Sequence, residues 1–377
     1  MTLRRTAFHN RTAALGASFV EYADYEFPSQ YAPDVLDEYW ACRQRAVVID
    51  LTPLRKVEVS GPGAEAVLQA TVTRDLTRLA DGGVVYTALC DDDGNVVDDG
   101  TVFRFGPERF RWIGYTDEDE DWFRSHAERL GAEVSFENST SRLHNLAVQG
   151  PKSRDILRPI VRPGPGRPAF DGLTWFTFTE GRLGSDGPEV LISRTGYSGE
   201  LGYEVWCHPG EGEAVWDAIW EAGREAGIAA LGLDALDTVR VEAGLIFKGY
   251  EYEGTEDPFE AGIGFTAPKK RADYVGKAAL ERRRENPARV LVGLDIDAAA
   301  PFTYGDEVRA GGAPTGIVTS GSLSPLLKKN LALARVSVSN SALGERLEVV
   351  RAEGGETALA TVVRFPFYDP DKTRPRS

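Results

Sequence analysis

The sequence predicts an α+β protein built from more than one folding unit, on three observations. The first is length: 377 residues exceed what one hydrophobic core usually organises, so two or three domains are expected. The second is patterning, since amphipathic helical runs alternate with short β-rich runs over most of the chain. The third is a change of character near the end. Short strands bounded by Gly and Pro run from Val290 onward, which suggests a small C-terminal β-barrel.

The elements follow in order. Between Pro33 and Val48 apolar residues fall at helical spacing behind an acidic first turn, predicting a helix that leads into a strand. Lys56 to Val59 reads as a strand, and Gly61 to Gln69 as a turn and amphipathic helix. Val84 to Phe105 holds two β-rich runs, VVYTALC and VVDDGTVFRF, around a turn at Asp93, Gly94 and Asn95, which is hairpin chemistry. After a strand from Phe110 to Tyr115 comes TDEDEDWFRSHAERLG, a helix whose acidic first turn complements the helix dipole. Residues 161 to 172, rich in Pro and Gly, read as a surface loop. Strands continue to Trp206, helices cover Gly212 to Ala226 and Leu233 to Leu245, and a charged helical connector spans Lys269 to Asn286.

Composition removes several function classes. With 58 acidic against 43 basic residues the formal charge is −15, which opposes binding to phosphate backbones and anionic membranes. No apolar run approaches the roughly 20 residues that span a bilayer, and the N-terminal stretch lacks the apolar core of a signal peptide, so a cytoplasmic protein is expected. Cys42, Cys90 and Cys207 are widely spaced and lie in or beside apolar runs, which reads as three buried thiols with neither a disulfide framework nor a metal site. No internal repeat or low-complexity tract points to a scaffold.

Two segments could carry chemistry. Asp98 and Asp99 stand adjacent in a β-rich run, where alternation sends them to opposite faces, so one must point inward. An inward aspartate is either a structural ion-pair partner or a working carboxylate, and both readings stay open on the sequence. The segment SRTGYSGELGYEVW, residues 193 to 206, sets three glycines among Tyr197, Glu200, Tyr203 and Glu204. Either something approaches this backbone closely, or the segment is a glycine-rich hairpin with polar side chains facing solvent.

The same segments occur in the same order in the glycine-cleavage T-protein superfamily, which the chain resembles along nearly its whole length. LGASFVEYADYEFPSQY near the start, YTALCDDDGNVVDDG and RTGYSGELGYEV resemble three of that family's motifs. Further matches are LAVQGPKSRDIL, TVRVEAGL, DPFEAGIGFT and YVGKAAL, and GIVTSGSLSPLLKKNLALARV with the final PFYDP resembles the family's barrel segment. The resemblance implies a three-domain cloverleaf. Residues 1–52 with 139–265 would form a first folate-binding αβ domain, 53–138 a second, and 266–377 a connector helix and C-terminal β-barrel. It also implies tetrahydrofolate as acceptor co-substrate in a central channel. Asp99 matches the carboxylate near the reactive folate nitrogens, the candidate catalytic residue. Tyr86 and Tyr197 match tyrosines lining the channel, and Glu204 matches the carboxylate that accepts hydrogen bonds from the pterin edge, a planar row of N–H donors. Tyr25 and Tyr115 are expected on the substrate side.

The departures direct the functional expectation. Where T-proteins have DVSHMG, this chain has Asp50, Leu51, Thr52, Pro53, Leu54 and Arg55, so the histidine is missing. Where they have VVNA it has Trp112, Ile113, Gly114 and Tyr115, and the family's ARD is Ala235, Leu236 and Asp237. ALDTVRVEAG resembles demethylating branches such as the dimethylglycine and sarcosine enzymes, and LRRTAFHNR resembles the opening of dimethylsulfoniopropionate demethylases. The expectation is a one-carbon transferase that moves a methyl or methylene group from a small N-, S- or O-methylated molecule to tetrahydrofolate. No carrier protein, nucleic acid or membrane is expected as partner. The alternatives are the glycine-cleavage aminomethyltransferase itself and a folate-binding protein similar to the factor assisting iron–sulfur assembly. The latter family's KGCYxGQE motif is IFKGYEYEG here, without cysteine.

Overall fold

The computed structural model describes residues 3–31, 34–268 and 272–377. Three sheets organise the chain. The first has seven strands in the spatial order Val161–Pro163, Phe178–Leu183, Glu189–Ser193, Gly202–Cys207, His144–Gln149, Val47–Asp50 and Ala229–Ala230. Its central strands His144–Gln149, Val47–Asp50 and Gly202–Cys207 are buried at every residue, because both faces are covered. On one face Val215, Trp216 and Ile219 of the helix Gly212–Gly223 join Leu146, Val148 and Val205. On the other, helices Val35–Gln44 and Leu233–Glu242 pack Cys42, Leu236 and Val239 against Val47 and Ile49. The near-continuous apolar runs of these strands are what two-sided burial requires.

The second sheet is antiparallel and five-stranded, ordered Val84–Cys90, Val96–Gly106, Arg109–Gly114, Arg55–Ser60 and Ser135–Asn138. Helices Ala64–Thr71 and Glu118–Leu130 cover one face through Val67, Leu68 and Phe123, which meet Val57, Val102 and Trp112. The opposite face is the junction of the molecule. There Val84, Phe103 and Ile113 pack against Phe178, Leu191 and Trp206 of the first sheet, while Ala88, Cys90 and Val96 meet Tyr252, Ile263, Leu291 and Leu333.

Six strands from Arg289–Ile296 to Thr357–Val363 close into the expected barrel around Leu294, Val318, Leu347 and Val349. Buried ion pairs bind it to the rest. Arg43 pairs with Glu242 at 2.6 Å and Glu200 at 3.0 Å, and Glu242 also accepts the Ser324 hydroxyl of the barrel. Arg240 pairs with Glu251 at 3.0 Å and donates to barrel Ser320 at 2.8 Å.

Some elements differ from expectation. A hairpin of Ser18–Tyr22 and Tyr25–Gln30 stands where no strand was expected, turned by Ala23 and Asp24 at φ 46° and 67°, the left-handed pair that a two-residue hairpin loop demands. The loop 161–172 contains a short edge strand, Val161–Pro163. The connector helix is shorter than expected, Lys277–Glu285, because Gly276 at φ 79° bends the chain into it. Its expected start at Lys269 and the expected helix start at Pro33 lie outside the described residues. Among the described residues no helix is long and apolar enough to cross a membrane, and no group of three or more His, Cys, Asp or Glu could hold a metal ion.

Candidate active site at the junction of the three sheets

The strand pair Val84–Cys90 and Val96–Gly106 places the adjacent aspartates by its register. Ala88 lies opposite Asp99 and Leu89 opposite Asp98. Since side chains alternate, Asp99 shares the junction face with Ala88 and Tyr86, and Asp98 shares the helix-covered face with Leu89. The aspartates thus divide as alternation requires, and their surroundings give them different chemistry.

Asp99, half-buried, is held by two phenols. Tyr86 donates to its Oδ2 at 2.6 Å, and Tyr252 donates to its Oδ1 at 2.5 Å. Burial, then the negative charge of Asp98, push its carboxyl up to about 6, against the opposing pull of the two hydroxyls and Lys248. It therefore changes charge near neutral pH, where a proton-transfer group is most useful.

Asp98 is fully enclosed. Its Oδ2 accepts the Tyr115 N–H at 2.7 Å, and its Oδ1 accepts from the Tyr252 hydroxyl at 3.1 Å and the Lys248 ammonium at 3.4 Å. Behind it lies a second buried acid, Asp119, which takes the Trp112 indole N–H at 2.6 Å. Burial, then the charge of Asp98 and a hydrogen bond with it, hold Asp119 well above the usual carboxylate range. The approach is possible because residue 114 is glycine. A Cβ there would stand 2.3 Å from Asp119 Oδ2 and 2.8 Å from Asp98 Oδ2.

Glu204 belongs to the strand Gly202–Cys207 and faces the same junction. Its Oε2 accepts the hydroxyls of Thr195 and Ser193, and burial pushes its carboxyl up. The register pairs Ala147 with Glu204 and Asn145 with Trp206, so Asn145 sits on the same face two residues along. Both polar atoms of the Asn145 amide are buried without a hydrogen-bond partner. Lys56 lies nearby, its Nζ 2.6 Å from the Thr52 carbonyl and 5.8 Å from the Trp206 ring. Burial pulls that ammonium down to about 7, against Asp50 and Glu204. A buried carboxylate beside an orphaned amide fits a planar ligand edge that offers both donors and acceptors.

The glycine-rich segment is resolved by what touches it. A Cβ at Gly196 or Gly202 would fall 2.0 or 2.2 Å from the Gln149 side-chain amide, so the close neighbour of this backbone is Gln149. The polar residues do not face solvent: Ser198, Glu200 and Tyr203 are buried. The solvent-facing hairpin reading is therefore replaced. Tyr197 donates to the Ile246 carbonyl, and burial holds its phenol far above the usual range.

Tyr115 sits just past the strand Arg109–Gly114 and meets Tyr22 and Phe247, with ring centroids 6.1 and 6.0 Å away. Tyr25 stands opposite Tyr22 on the N-terminal hairpin, buried, with the Arg4 guanidinium 5.9 Å over its ring. Tyr22 is the hairpin tyrosine in contact with Tyr115. Tyr22, Lys248 and Tyr252, which the structure brings to this junction, are not among the residues that the sequence singled out. The last two lie in an irregular loop with no periodicity, and only the unusual density of aromatic and charged residues in FKGYEYE marks it. Two open surface clefts, one beside His9 and Phe19 and one beside Arg182 and His208, contain none of these groups.

Two αβ units and a closed barrel meeting at buried carboxylates define a class that comparison identifies. A model of the GCVT N-terminal domain matches residues 8–271, and one of the glycine cleavage T-protein C-terminal barrel domain matches residues 289–369. The chain belongs to the glycine cleavage T-protein family, the aminomethyltransferases. It is 50% identical to a trimethylamine-oxide aldolase of Ruegeria pomeroyi, in a match covering 99% of this chain and 48% of that protein, so the chain spans about half the length of that relative. It is 37% identical to an aminomethyltransferase of Symbiobacterium thermophilum, covering 97% and 98% of the two chains, and 34% identical to one of Halothermothrix orenii, covering 97% and 100%. The crystal structure of glycine cleavage system aminomethyltransferase T from Bartonella henselae shares the fold, with a TM-score of 0.87 at 24% identity over 98% of this chain and 99% of that one.

Proposed function

We propose that the protein transfers a one-carbon unit from a small N-, S- or O-methylated molecule to tetrahydrofolate, with Asp99 as the working carboxylate. The observation that carries this reading is the Asp99 carboxyl itself, clamped by Tyr86 and Tyr252 and raised to about 6. A group so tuned gives up or accepts a proton near neutral pH, and in its ionised form it stabilises positive charge developing in a water-poor site. Tetrahydrofolate, when bound, supplies the nitrogens that accept the carbon unit. Glu204 and Asn145 hold the polar edge of its ring, Tyr86 and Tyr197 line its faces, and Tyr115 with Tyr22 and Phe247 bounds the donor side. Tyr25 supports Tyr22 across the hairpin. Likeness to a trimethylamine-oxide aldolase favours a methylated nitrogen compound as donor.

The test is incubation with tetrahydrofolate and a panel of methylated amines, amine oxides, sulfonium compounds and aryl ethers, following 5-methyl- and 5,10-methylene-tetrahydrofolate. Failure of every donor while folate binds would refute the substrate class. A second reading, transfer from the aminomethyl arm of a glycine-cleavage carrier protein, is favoured by the full-length likeness to aminomethyltransferases at 34 and 37% identity. Against it stand Pro53, Gly114-Tyr115 and Leu236 in place of the polar residues of that branch, since a site lacking a needed hydrogen-bond partner discriminates strongly. Methylene-tetrahydrofolate formation from aminomethyl-loaded carrier decides between the two.

A further inference from the structure

The Tyr252 hydroxyl touches both aspartates. It lies 2.5 Å from Asp99 Oδ1 and 3.1 Å from Asp98 Oδ1, and it also accepts the Asp99 N–H at 3.1 Å. A phenol has one proton, so it donates to one carboxylate at a time. Asp98 in turn faces the Asp119 carboxyl and the Lys248 ammonium, and Lys248 is fixed by the Val97 carbonyl at 2.7 Å. The chain Asp99–Tyr252–Asp98–Asp119 is thus continuous, running from the junction face to the enclosed face of one sheet.

We propose that Tyr252, Asp98 and Lys248 are positioning residues that couple Asp99 to the buried Asp98–Asp119 pair, so that a proton taken up by Asp99 passes inward through Tyr252 and returns the same way. The step is balanced. The proton on Asp99 Oδ1 passes to Tyr252 Oη while the phenolic proton passes to Asp98 Oδ1, so one O–H bond breaks and one forms at each hand-over. Asp99 returns to carboxylate, Asp98 becomes the acid, and no electron moves. The groups facing Asp99 act in both directions. Tyr86 from the neighbouring strand and Tyr252 from the 246–256 loop favour its ionised form, as does Lys248, while Asp98 on its own strand opposes it. Tyr197 lies near enough for Asp99 to disfavour its phenolate. The coupling lets the buried pair hold the proton while Asp99 acts as carboxylate, and the reverse hand-over through Tyr252 returns it to Asp99.

The proposal rests on the assignment of Asp99 as the working group, so its test has a readout independent of turnover. In full-length protein labelled with ¹³C at aspartate carboxyls, the Asp99 titration is followed by NMR in wild type, Tyr252→Phe and Lys248→Met, with Asp99→Asn assigning the signal. Removing the Tyr252 hydroxyl should move the Asp99 midpoint upward, because a hydrogen bond to the charged form is lost. Lys248→Met should move it the same way. Under the turnover assay, Tyr252→Phe should lower kcat about tenfold or more, leave KM for folate unchanged, and shift the acidic limb of the pH profile with the NMR midpoint. An Asp99 midpoint unmoved in either folded variant overturns the coupling, and Lys248→Met alone decides if Tyr252→Phe does not fold. Absence of folate turnover in the wild type would instead sink the function reading, leaving the titration result to stand on its own.

Discussion

Asp99→Asn separates catalytic from structural roles because the two predict opposite effects on stability. The side chain keeps its shape and loses its charge. In the folded protein the carboxyl titrates near 6 instead of the 3.8 of a free aspartate, a difference worth about 3 kcal/mol. The sign follows from linkage. A carboxyl raised on folding contributes its full stability below the unfolded value, and that contribution is lost as pH rises through about 6. Above pH 7 the ionised Asp99 is therefore a net cost, partly offset by the Tyr86 and Tyr252 hydroxyls. Asparagine carries no such cost, although its amide nitrogen must replace one accepted bond, a loss of about 1 kcal/mol. The variant should be as stable as wild type or more so at pH 8, and less favoured by comparison at pH 4. Turnover should fall by roughly 10²- to 10⁴-fold with folate affinity largely kept. Urea unfolding at the two pH values, beside single-turnover formation of one-carbon folate, measures both. A variant that loses several kcal/mol at pH 8 yet retains turnover would show that Asp99 is a structural partner and refute the reasoning.

Other perturbations reach different parts of the site. Tetrahydrofolate should raise the melting temperature, since a ligand at 100 times its Kd adds about 2.7 kcal/mol to the native state; no shift at millimolar reduced folate, with the protein folded, counts heavily against the assignment. Gly114→Ala should destabilise by about 2 kcal/mol or more, because its Cβ would meet Asp119 Oδ2 and Trp112 Nε1 at 2.3 Å; equilibrium denaturation matching wild type would mean the carboxyl pair yields freely. Arg43→Ala should cost about 3–5 kcal/mol by leaving Glu242 buried without its cation and Glu200 with Arg374 alone, read as a fall in the urea midpoint.

The fold was legible wherever packing repeats along the chain. Alternation placed Asp98 and Asp99 on opposite faces, and the run of Gly- and Pro-bounded strands marked the barrel, because each follows from burying one face at a fixed period. What escaped was set by contacts distant in sequence. The glycines at 196 and 202 read equally well as a solvent hairpin until Gln149, some fifty residues away, is seen between them. Tyr22 and Tyr25 are equivalent by sequence, and only the placement of Arg4 over one and Tyr115 against the other tells them apart. Tyr252 lies in a loop whose conformation comes from tertiary contacts, so no local pattern announces that its hydroxyl bridges two carboxylates.

That loop joins the barrel to the candidate site although the barrel supplies none of the groups assigned to it. Glu251, fully buried, accepts the Phe247 N–H at 2.8 Å, the Arg240 guanidinium at 3.0 Å and the hydroxyls of Thr319 and Ser320 at 2.9 and 2.5 Å. Arg240 comes from the helix Leu233–Glu242 of the first unit and the two hydroxyls from the barrel strand Ala313–Ser324. One carboxylate therefore ties two units to the loop that presents Lys248 and Tyr252 to Asp98 and Asp99 on the second sheet. Four donors on a buried carboxylate leave little freedom for the backbone between Phe247 and Tyr252, and hydrogen-bond distances of 2.5 and 3.1 Å at Tyr252 require that restraint.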